Sequence, residues 1–173
     1  MGTNKPLGHY SAGNSYNNTK SSAVELAICS KKIVEDLAKL GIGPKKSHTV
    51  KFPAVREDLK SHLIRGIWDG DGSVLYRKAH VTSKREHPEV QLCGNINITN
   101  TVKNILIDKL GIRDVKLHPV SSIFLFRYSS SSAVKITNYL YKDCTIYLDR
   151  KYEKYLLGKD WQSSRLNTAR KVG

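Results

Sequence analysis

Apolar residues recur every three or four positions in several segments of the chain, a pattern that predicts amphipathic helices. The predicted helices cover residues 31–42, 56–69, 100–112, 131–142 and 146–157. In the first helix, Ile33, Leu37 and Leu40 share one face. The third helix is expected to begin at Asn100 or Thr101, because the side chains of these residues can cap the free N–H groups of a first turn.

Segments in which apolar and polar residues alternate predict strands between these helices. The predicted strands cover residues 23–30, 73–81, 89–99, 114–118 and 122–128. The clearest of them is EVQLCGNINIT (89–99), whose apolar side chains point to one face. Its polar side chains, Gln91, Cys93, Asn95 and Asn97, are expected to point to the other face.

The order of these elements predicts an α+β domain over residues 56–157, in which helices alternate with pairs of strands. Residues 23–55 precede it as a strand, a helix and a connector. AICSKKIVEDLAKLGI and NITNTVKNILIDKLGI resemble each other, which indicates an internal duplication with a partial first repeat. Residues 1–22 are predicted to form a flexible tail and residues 158–173 a basic C-terminal tail.

The chain is strongly basic, with a net charge of +14 and a pI near 9.7. Such a balance indicates a polyanionic partner, most often nucleic acid. The sequence has neither an apolar run of the roughly 18 residues that a membrane span needs nor a secretory h-region. Cys29, Cys93 and Cys144 are scattered without a CxxC pair. We therefore expect a protein of the cytoplasm or an organellar interior that is not secreted and has no membrane partner.

The segment HLIRGIWDGDGSV (62–74) ends a predicted helix in two aspartates separated by glycine. One interpretation is a helix end with solvated acids, although carboxylates there oppose the helix macrodipole. A calcium loop of the EF-hand type is a second, but Val74 and His80 occupy the positions that require Gly and Glu. The basic chain favours a third interpretation, in which a divalent cation bridges a carboxylate and a phosphate.

The same segment resembles the signature of the LAGLIDADG homing endonucleases, whose nine letters fall on residues 64–72. LYKDCTIYLDRKYEKY (140–155) resembles the segment that closes the family's domain, and the order of elements is similar. The resemblance covers about residues 24–157. It implies an αββαββα domain with a DNA-binding antiparallel β-saddle, preceded by the partial repeat. It also implies a site-specific, Mg²⁺-dependent endonuclease that cuts double-stranded DNA.

The resemblance further implies roles for individual residues. Asp71 would hold Mg²⁺, or another divalent ion such as Mn²⁺ or Ca²⁺ in crystals, with Gly70 beside it in the metal site. Lys151, with Lys142 as the second choice, and Asn100 would assist catalysis. The residues implied to contact DNA are Leu75, Arg77, Lys78, Gln91, Cys93, Asn95, Asn97, Lys116, His118 and Arg127. Alternation leaves open whether Arg77 or Lys78 faces the DNA.

The family cuts its two DNA strands with two motifs, whereas this chain carries one. Leu63, Gly66, Ile67 and Gly70 are implied to pack against a second motif helix, since small residues let helices approach closely. The partner would be a second copy, forming a homodimer, or another LAGLIDADG polypeptide. The alternative function is a non-cleaving nucleic-acid binder, such as an intron-splicing maturase or a DNA-binding regulator.

Overall fold

Helices and strands were located in a computed structural model, which describes residues 8–14, 19–25, 27–43, 50–78, 80–83 and 85–170. The strands are β1 (Gly8–Asn14), β2 (Thr19–Glu25), β3 (Gly72–Lys78), β4 (Glu86–Gly94), β5 (His118–Val120) and β6 (Ile123–Ser129). The helices are α1 (Lys31–Lys39), α2 (Lys60–Asp71), α3 (Ile96–Leu110), α4 (Ser130–Tyr141) and α5 (Asp149–Arg170). A 3₁₀ turn (Glu57–Leu59) precedes α2. The chain divides into two compact units, residues 1–39 and 40–173.

The first unit begins with an antiparallel hairpin, in which β1 pairs with β2 from Gly8 opposite Glu25 to Asn14 opposite Thr19. The expected tail over residues 1–22 therefore contains β1 and most of β2. The strand predicted over residues 23–30 begins earlier and ends at Glu25. The segments GHYSAGN and TKSSAVE are rich in small and polar residues. Apolar periodicity is the signal that identifies strands in a sequence, and it is weak here.

Helix α1 forms where its apolar spacing predicts it. The hydroxyl of Ser30 accepts a hydrogen bond from the N–H of Ile33 at 3.3 Å and thereby caps the first turn. The helix ends before Gly41, whose φ of +76° lies in the left-handed region that glycine tolerates best. The partial repeat over residues 23–55 stays a prediction, and the compact unit that contains α1 ends at Lys39.

The second unit is built on a four-stranded antiparallel sheet with the order β3-β4-β6-β5. Its element sequence from α2 to α5 is helix, two strands, helix, two strands and helices, which confirms the predicted αββαββα order. One face of the sheet and the four helices enclose a single core. The largest fully buried core side chains include Trp68, Tyr141, Phe126, Ile64, Leu92, Leu106, Ile136 and Leu140. The connector before α2 belongs to this unit as well, since Phe52 packs against the core.

The boundary between β4 and α3 differs from the prediction. The strand ends at Gly94, and Asn95 caps α3 by accepting a hydrogen bond from the N–H of Ile98 at 3.0 Å. Its side-chain amide also donates to the carbonyl of Val50 at 3.2 Å. The residues NINIT alternate as a strand would, but a capping asparagine and the helical periodicity that follows it prevail.

The predicted C-terminal tail is helical, because α5 continues to Arg170. The indole N–H of Trp161 donates to the carbonyl of Glu86 at 3.1 Å and ties this helix to the start of β4. The hydroxyl of Tyr76 in β3 donates to the carbonyl of Lys154 at 3.1 Å. Across the described parts of the chain, every helix is too short or too polar to cross a membrane.

A tight junction joins α2 directly to β3, with no loop between Asp71 and Gly72. A Cβ atom on Gly72 would lie 2.5 Å from Cδ1 of Trp68, so this position has no room for a side chain. Trp68 is fully buried and meets the ring of Phe126 edge-on, with centroids 6.0 Å apart. Gly72 is therefore required by the approach of the indole, since its φ of −94° suits any residue.

We predict that Gly72→Ala lowers the free energy of unfolding by about 1–3 kcal/mol, because overpacking displaces either the indole or the strand. Gly66→Ala is the matched control, since a Cβ there meets no atom within 4 Å and alanine stabilises helix interiors by up to about 1 kcal/mol. Chemical denaturation of both variants measures the difference. Equal stabilities would contradict the packing argument.

Candidate functional site

The two aspartates at the end of α2 lie in different environments. The Asp69 carboxylate accepts a hydrogen bond from the hydroxyl of Tyr141 at 2.6 Å and from the N–H of Leu148 at 3.3 Å. Burial, with the neighbouring Asp69 charge, raises the pKa of Tyr141, so this phenol stays protonated and keeps donating. The Asp71 side chain is exposed at the last position of the helix. The Asp69 carboxylate is thus engaged in contacts within the fold, whereas the Asp71 carboxylate is exposed to solvent.

Lys151 lies beneath this helix end, with only 1% of its surface exposed. Its Nζ donates to the carbonyls of Trp68 at 2.5 Å, Asp69 at 2.9 Å and Gly72 at 2.6 Å. These three bonds use all three N–H groups of the ammonium. Burial lowers the pKa of Lys151, and the charge of Arg150 lowers it further.

The role in catalysis that the sequence indicated for Lys151 stays a prediction, and these contacts restrict how the side chain could act. An ammonium whose three donors are all bound to backbone carbonyls has none left for a substrate. Its effect is to fix the turn that carries Asp71. The second choice, Lys142, is exposed just beyond the end of α4.

Arg65 is a second anchor of α2, and the sequence did not single it out. It is 8% exposed, and its Nε donates to the carbonyl of Ile146 at 2.9 Å. Its Nη1 donates to the carbonyl of Leu140 at 3.2 Å and lies 2.9 Å from Nδ1 of His62. Together with Asp69 and Lys151, Arg65 ties the motif helix to the segment 140–151. The signal that could have found it is a charged residue on the apolar face of a predicted helix.

The sheet face opposite the core carries most of the side chains predicted to contact DNA. Pairing places Gln91 opposite Arg127 and Cys93 opposite Leu125, with His118 also opposite Leu125. Leu75 and Arg77 lie on the same face, because Leu75 pairs with Glu89 and Arg77 with His87. We call the following residues the polar sheet face: Ser73, Leu75, Arg77, His87, Glu89, Gln91, Cys93, His118, Arg127 and Ser129.

Pairing also decides between the two basic residues that end β3. Lys78 is opposite Glu86, on the side of the sheet that carries the core residues Val74 and Val90. Arg77, one residue earlier, therefore points to the polar sheet face. Lys116 precedes β5 as an exposed loop residue outside the strands.

Three predicted site residues lie outside the polar sheet face because α3 begins earlier than expected. Asn95 is 7% exposed and is used as the helix cap. Asn97 and Asn100 are exposed residues of α3. The DNA-contacting role of Asn95 and Asn97 and the catalytic role of Asn100 all assumed that β4 continued to residue 99.

Asp71 lies next to the polar sheet face rather than apart from it. The thiol of Cys93 donates to the backbone carbonyl of Asp71 at 3.2 Å. Gly72, the following residue, pairs with Leu92. The backbone of Asp71, whose side chain is exposed, therefore borders the row of the sheet that contains Cys93 and Leu125.

The donor set for a divalent ion is small. Within the described residues, no group of three or more His, Cys, Asp or Glu side chains could hold a metal. Mg²⁺ is, however, commonly bound through one or two carboxylates, substrate phosphates and water. Asp71 fits one such carboxylate, and Gly70 is an exposed neighbour of it.

The outward face of α2 is open along the residues predicted to meet a partner. Leu63 and Ile67 are half-buried, while Gly66 and Gly70 are exposed. A Cβ at either glycine would meet no atom within 4 Å. The opposite face of the helix packs into the unit, since Ile64, Arg65 and Trp68 are buried.

Comparison with known proteins found no matching family model and no matching curated protein. Among solved structures, a point mutant of I-SmaMI matches with 16% identity and a TM-score of 0.44, over 83% of this chain and 47% of that chain. The LAGLIDADG meganuclease I-AabMI bound to uncleaved DNA matches with 15% identity and a TM-score of 0.42, over 79% and 47%. The homing endonuclease I-CvuI in complex with the I-CreI target matches with 18% identity and a TM-score of 0.37, over 58% and 63%.

The chain thus spans less than two thirds of the length of each of these structures. I-AabMI is a member of the family that the segment 64–72 resembles. The likeness is distant.

We predict that Lys151→Met lowers the free energy of unfolding by about 3 kcal/mol, because three buried carbonyls lose a charged donor. Lys142→Met removes the same charge at an exposed site and is expected to change stability by less than about 0.5 kcal/mol. Chemical denaturation of the two variants checks this. A Lys151→Met protein as stable as Lys142→Met would show that the ammonium does not hold the helix end.

Proposed function

We propose that this protein is a site-specific endonuclease that cuts double-stranded DNA with the help of a divalent ion, normally Mg²⁺. One observation carries the proposal. An exposed carboxylate, Asp71, borders a sheet face rich in hydrogen-bonding side chains, and buried anchors hold the backbone on which it sits. The net charge of +14 supports a polyanionic substrate.

The polar sheet face suits a DNA major groove, which is wide enough to admit β-strands and displays a distinct donor and acceptor pattern for each base pair. Arg77 and Arg127 are suited to the acceptors of guanine, and Gln91 to adenine. Leu75 offers an apolar contact of the kind that suits a thymine methyl group. Basic residues at the margin, such as Lys116, suit phosphates.

Asp71, with the Gly70 backbone beside it, would hold the metal on the DNA side of the helix end. When bound, Mg²⁺ supplies activation of water and stabilisation of the leaving oxygen. The protein's own contribution is to keep the carboxylate in place, since Lys151 fixes the carbonyls before and after it. In a basic protein, a lone exposed acid would repel phosphate unless a cation lay between them.

A second chain completes the proposed enzyme, because one Asp71 site would cut only one of the two DNA strands. Leu63, Gly66, Ile67 and Gly70 would form the contact, as a homodimer or with another LAGLIDADG polypeptide. The open space above both glycines supports this assignment, since helix axes come close only where side chains are small.

A non-cleaving binder, such as a maturase or a regulator, is the second candidate. The observation that favours it is that Lys151 is fully engaged with backbone carbonyls and that the described residues provide one exposed acid at the site. The two candidates differ in the effect of Mg²⁺ on bound DNA.

Asp71→Asn is predicted to reduce double-strand cleavage of a randomised duplex library by at least about a hundredfold, because a neutral amide is a weak Mg²⁺ ligand. Binding is expected to persist, since the polar sheet face is unchanged. The control is Asp108→Asn, the same change at an exposed position of α3. Sequencing of cut ends measures cleavage, and filter binding in EDTA measures affinity. Wild-type protein that binds but does not cut would favour the non-cleaving binder.

Gly66→Leu is predicted to reduce self-association on DNA without unfolding the chain. A leucine there would project into open space in the single chain but would separate two packed α2 helices. Solution mass measured with and without DNA gives the oligomeric state, and circular dichroism reports the fold. Asn104→Leu, at an exposed position of α3, is the control. A wild-type protein that stays monomeric on DNA would contradict the homodimer hypothesis, and the hypothesis of a different partner polypeptide would be kept.

A further inference from the structure

One acidic side chain lies in the middle of the polar sheet face. Glu89 is 6% exposed, although the face around it is open to solvent. Its Oε1 forms ion pairs with Nε of Arg77 at 2.8 Å and with Nε of Arg127 at 3.4 Å, and it accepts no hydrogen bond of good geometry from either. The two arginine side chains are about half exposed, at 52% and 47%.

The strand register explains why both arginines reach one carboxylate. Glu89, in the central strand β4, pairs with Leu75 on one side and Ser129 on the other. Arg77 and Arg127 each lie two residues from those partners, in opposite directions along the sheet. They are therefore diagonal neighbours of Glu89, a separation that long side chains span.

A carboxylate in this position lowers the affinity of the face for phosphate. General attraction to DNA therefore does not explain why Glu89 lies there. Its burial also prevents it from reaching a base edge itself. Both arginines approach it through Nε, the nitrogen next to the chain. The terminal nitrogens of each guanidinium still have N–H groups to donate, although one N–H of Arg127 Nη2 donates to Oε1 of Gln91 at 3.2 Å.

We propose that Glu89 is a positioning residue for sequence specificity, which holds Arg77 and Arg127 so that their terminal nitrogens meet the O6 and N7 acceptors of two guanines. The proposal rests on the proposed function, because it assumes that the polar sheet face reads DNA. The charge of the carboxylate favours the arginine rotamers that approach it before DNA arrives, which reduces the entropy lost on binding. It also makes the two guanine contacts interdependent, since the guanidinium groups share one anion.

The test compares Glu89→Gln with Glu86→Gln in the full chain. Glu86 is exposed on the same strand and points to the other face, so both variants remove one negative charge. Two further variants, Arg77→Lys and Arg127→Lys, are included. Wild-type protein and each variant select from a randomised duplex pool with Ca²⁺ in place of Mg²⁺. Sequencing gives the preference at each base pair, and thermal denaturation shows whether each variant folds.

We expect Glu89→Gln to reduce the preference for guanine by about tenfold at two base-pair positions. These should be the positions that Arg77→Lys and Arg127→Lys affect, because lysine lacks the fork that pairs with guanine. Glu86→Gln should leave every preference unchanged. Both glutamine variants should bind mixed-sequence DNA somewhat more tightly, so a general change in affinity does not support the proposal.

The outcomes separate the two levels of the argument. A wild-type protein that enriches no sequence would remove the proposed function. A wild-type protein with a defined site, and Glu89→Gln with the same preferences or with a uniform loss at all positions, would overturn only the role of Glu89. Should Glu89→Gln fail to fold, the double variant of Arg77→Lys and Arg127→Lys decides. Strictly additive effects of the two would show that the arginines act independently.

Discussion

The buried ammonium of Lys151 is the interaction on which the arrangement of the site depends. The last carbonyls of a helix have no partner within the helix, and α2 runs into β3 without a loop that could supply one. Lys151 donates to carbonyls on both sides of Asp71 and so fixes the direction in which the strand leaves the helix. The cation also offsets the negative end of the helix dipole and two nearby aspartates. Burial of the charge costs free energy and lowers the pKa of Lys151, and three charged hydrogen bonds offset that cost.

Anchoring by Lys151 separates the roles of the two aspartates. Asp69 is held by Tyr141 and Leu148, and Arg65 ties the same helix to the carbonyls of Leu140 and Ile146. These contacts all reach into the segment 140–151, so the motif helix and the closing segment hold each other in place. Asp71 can then stay exposed, because the backbone around it is held by its neighbours rather than by its own side chain.

The sequence predicts the sheet and helices of the second unit well, because a packed core imposes the periods of 3.6 and 2 on its apolar residues. Alternation also placed Gln91 and Cys93 on one face, the family resemblance added Leu75 and Arg127 to it, and the strand register shows that Arg77 rather than Lys78 points to that face. Alternation gave the wrong element at NINIT (95–99), where a strand pattern and a helix cap occur in the same few residues. The contacts of Lys151 could not be predicted, since its partners are carbonyls about eighty residues away in the chain. Every residue has a backbone carbonyl, so the sequence does not indicate which ones the ammonium contacts.

In the proposed enzyme, recognition and cleavage would use neighbouring but separate parts of the second unit. The polar sheet face extends along β3, β4 and β6, whereas the carboxylate sits at one end of it. Asp71 itself contacts the face through its backbone carbonyl, which accepts a hydrogen bond from the Cys93 thiol. Thiols are weak donors, so side chains further along the sheet can change without moving Asp71. The ion pairs of Glu89 with Arg77 and Arg127 lie within the sheet face. A change in them would therefore alter which DNA is bound before it altered how DNA is cut.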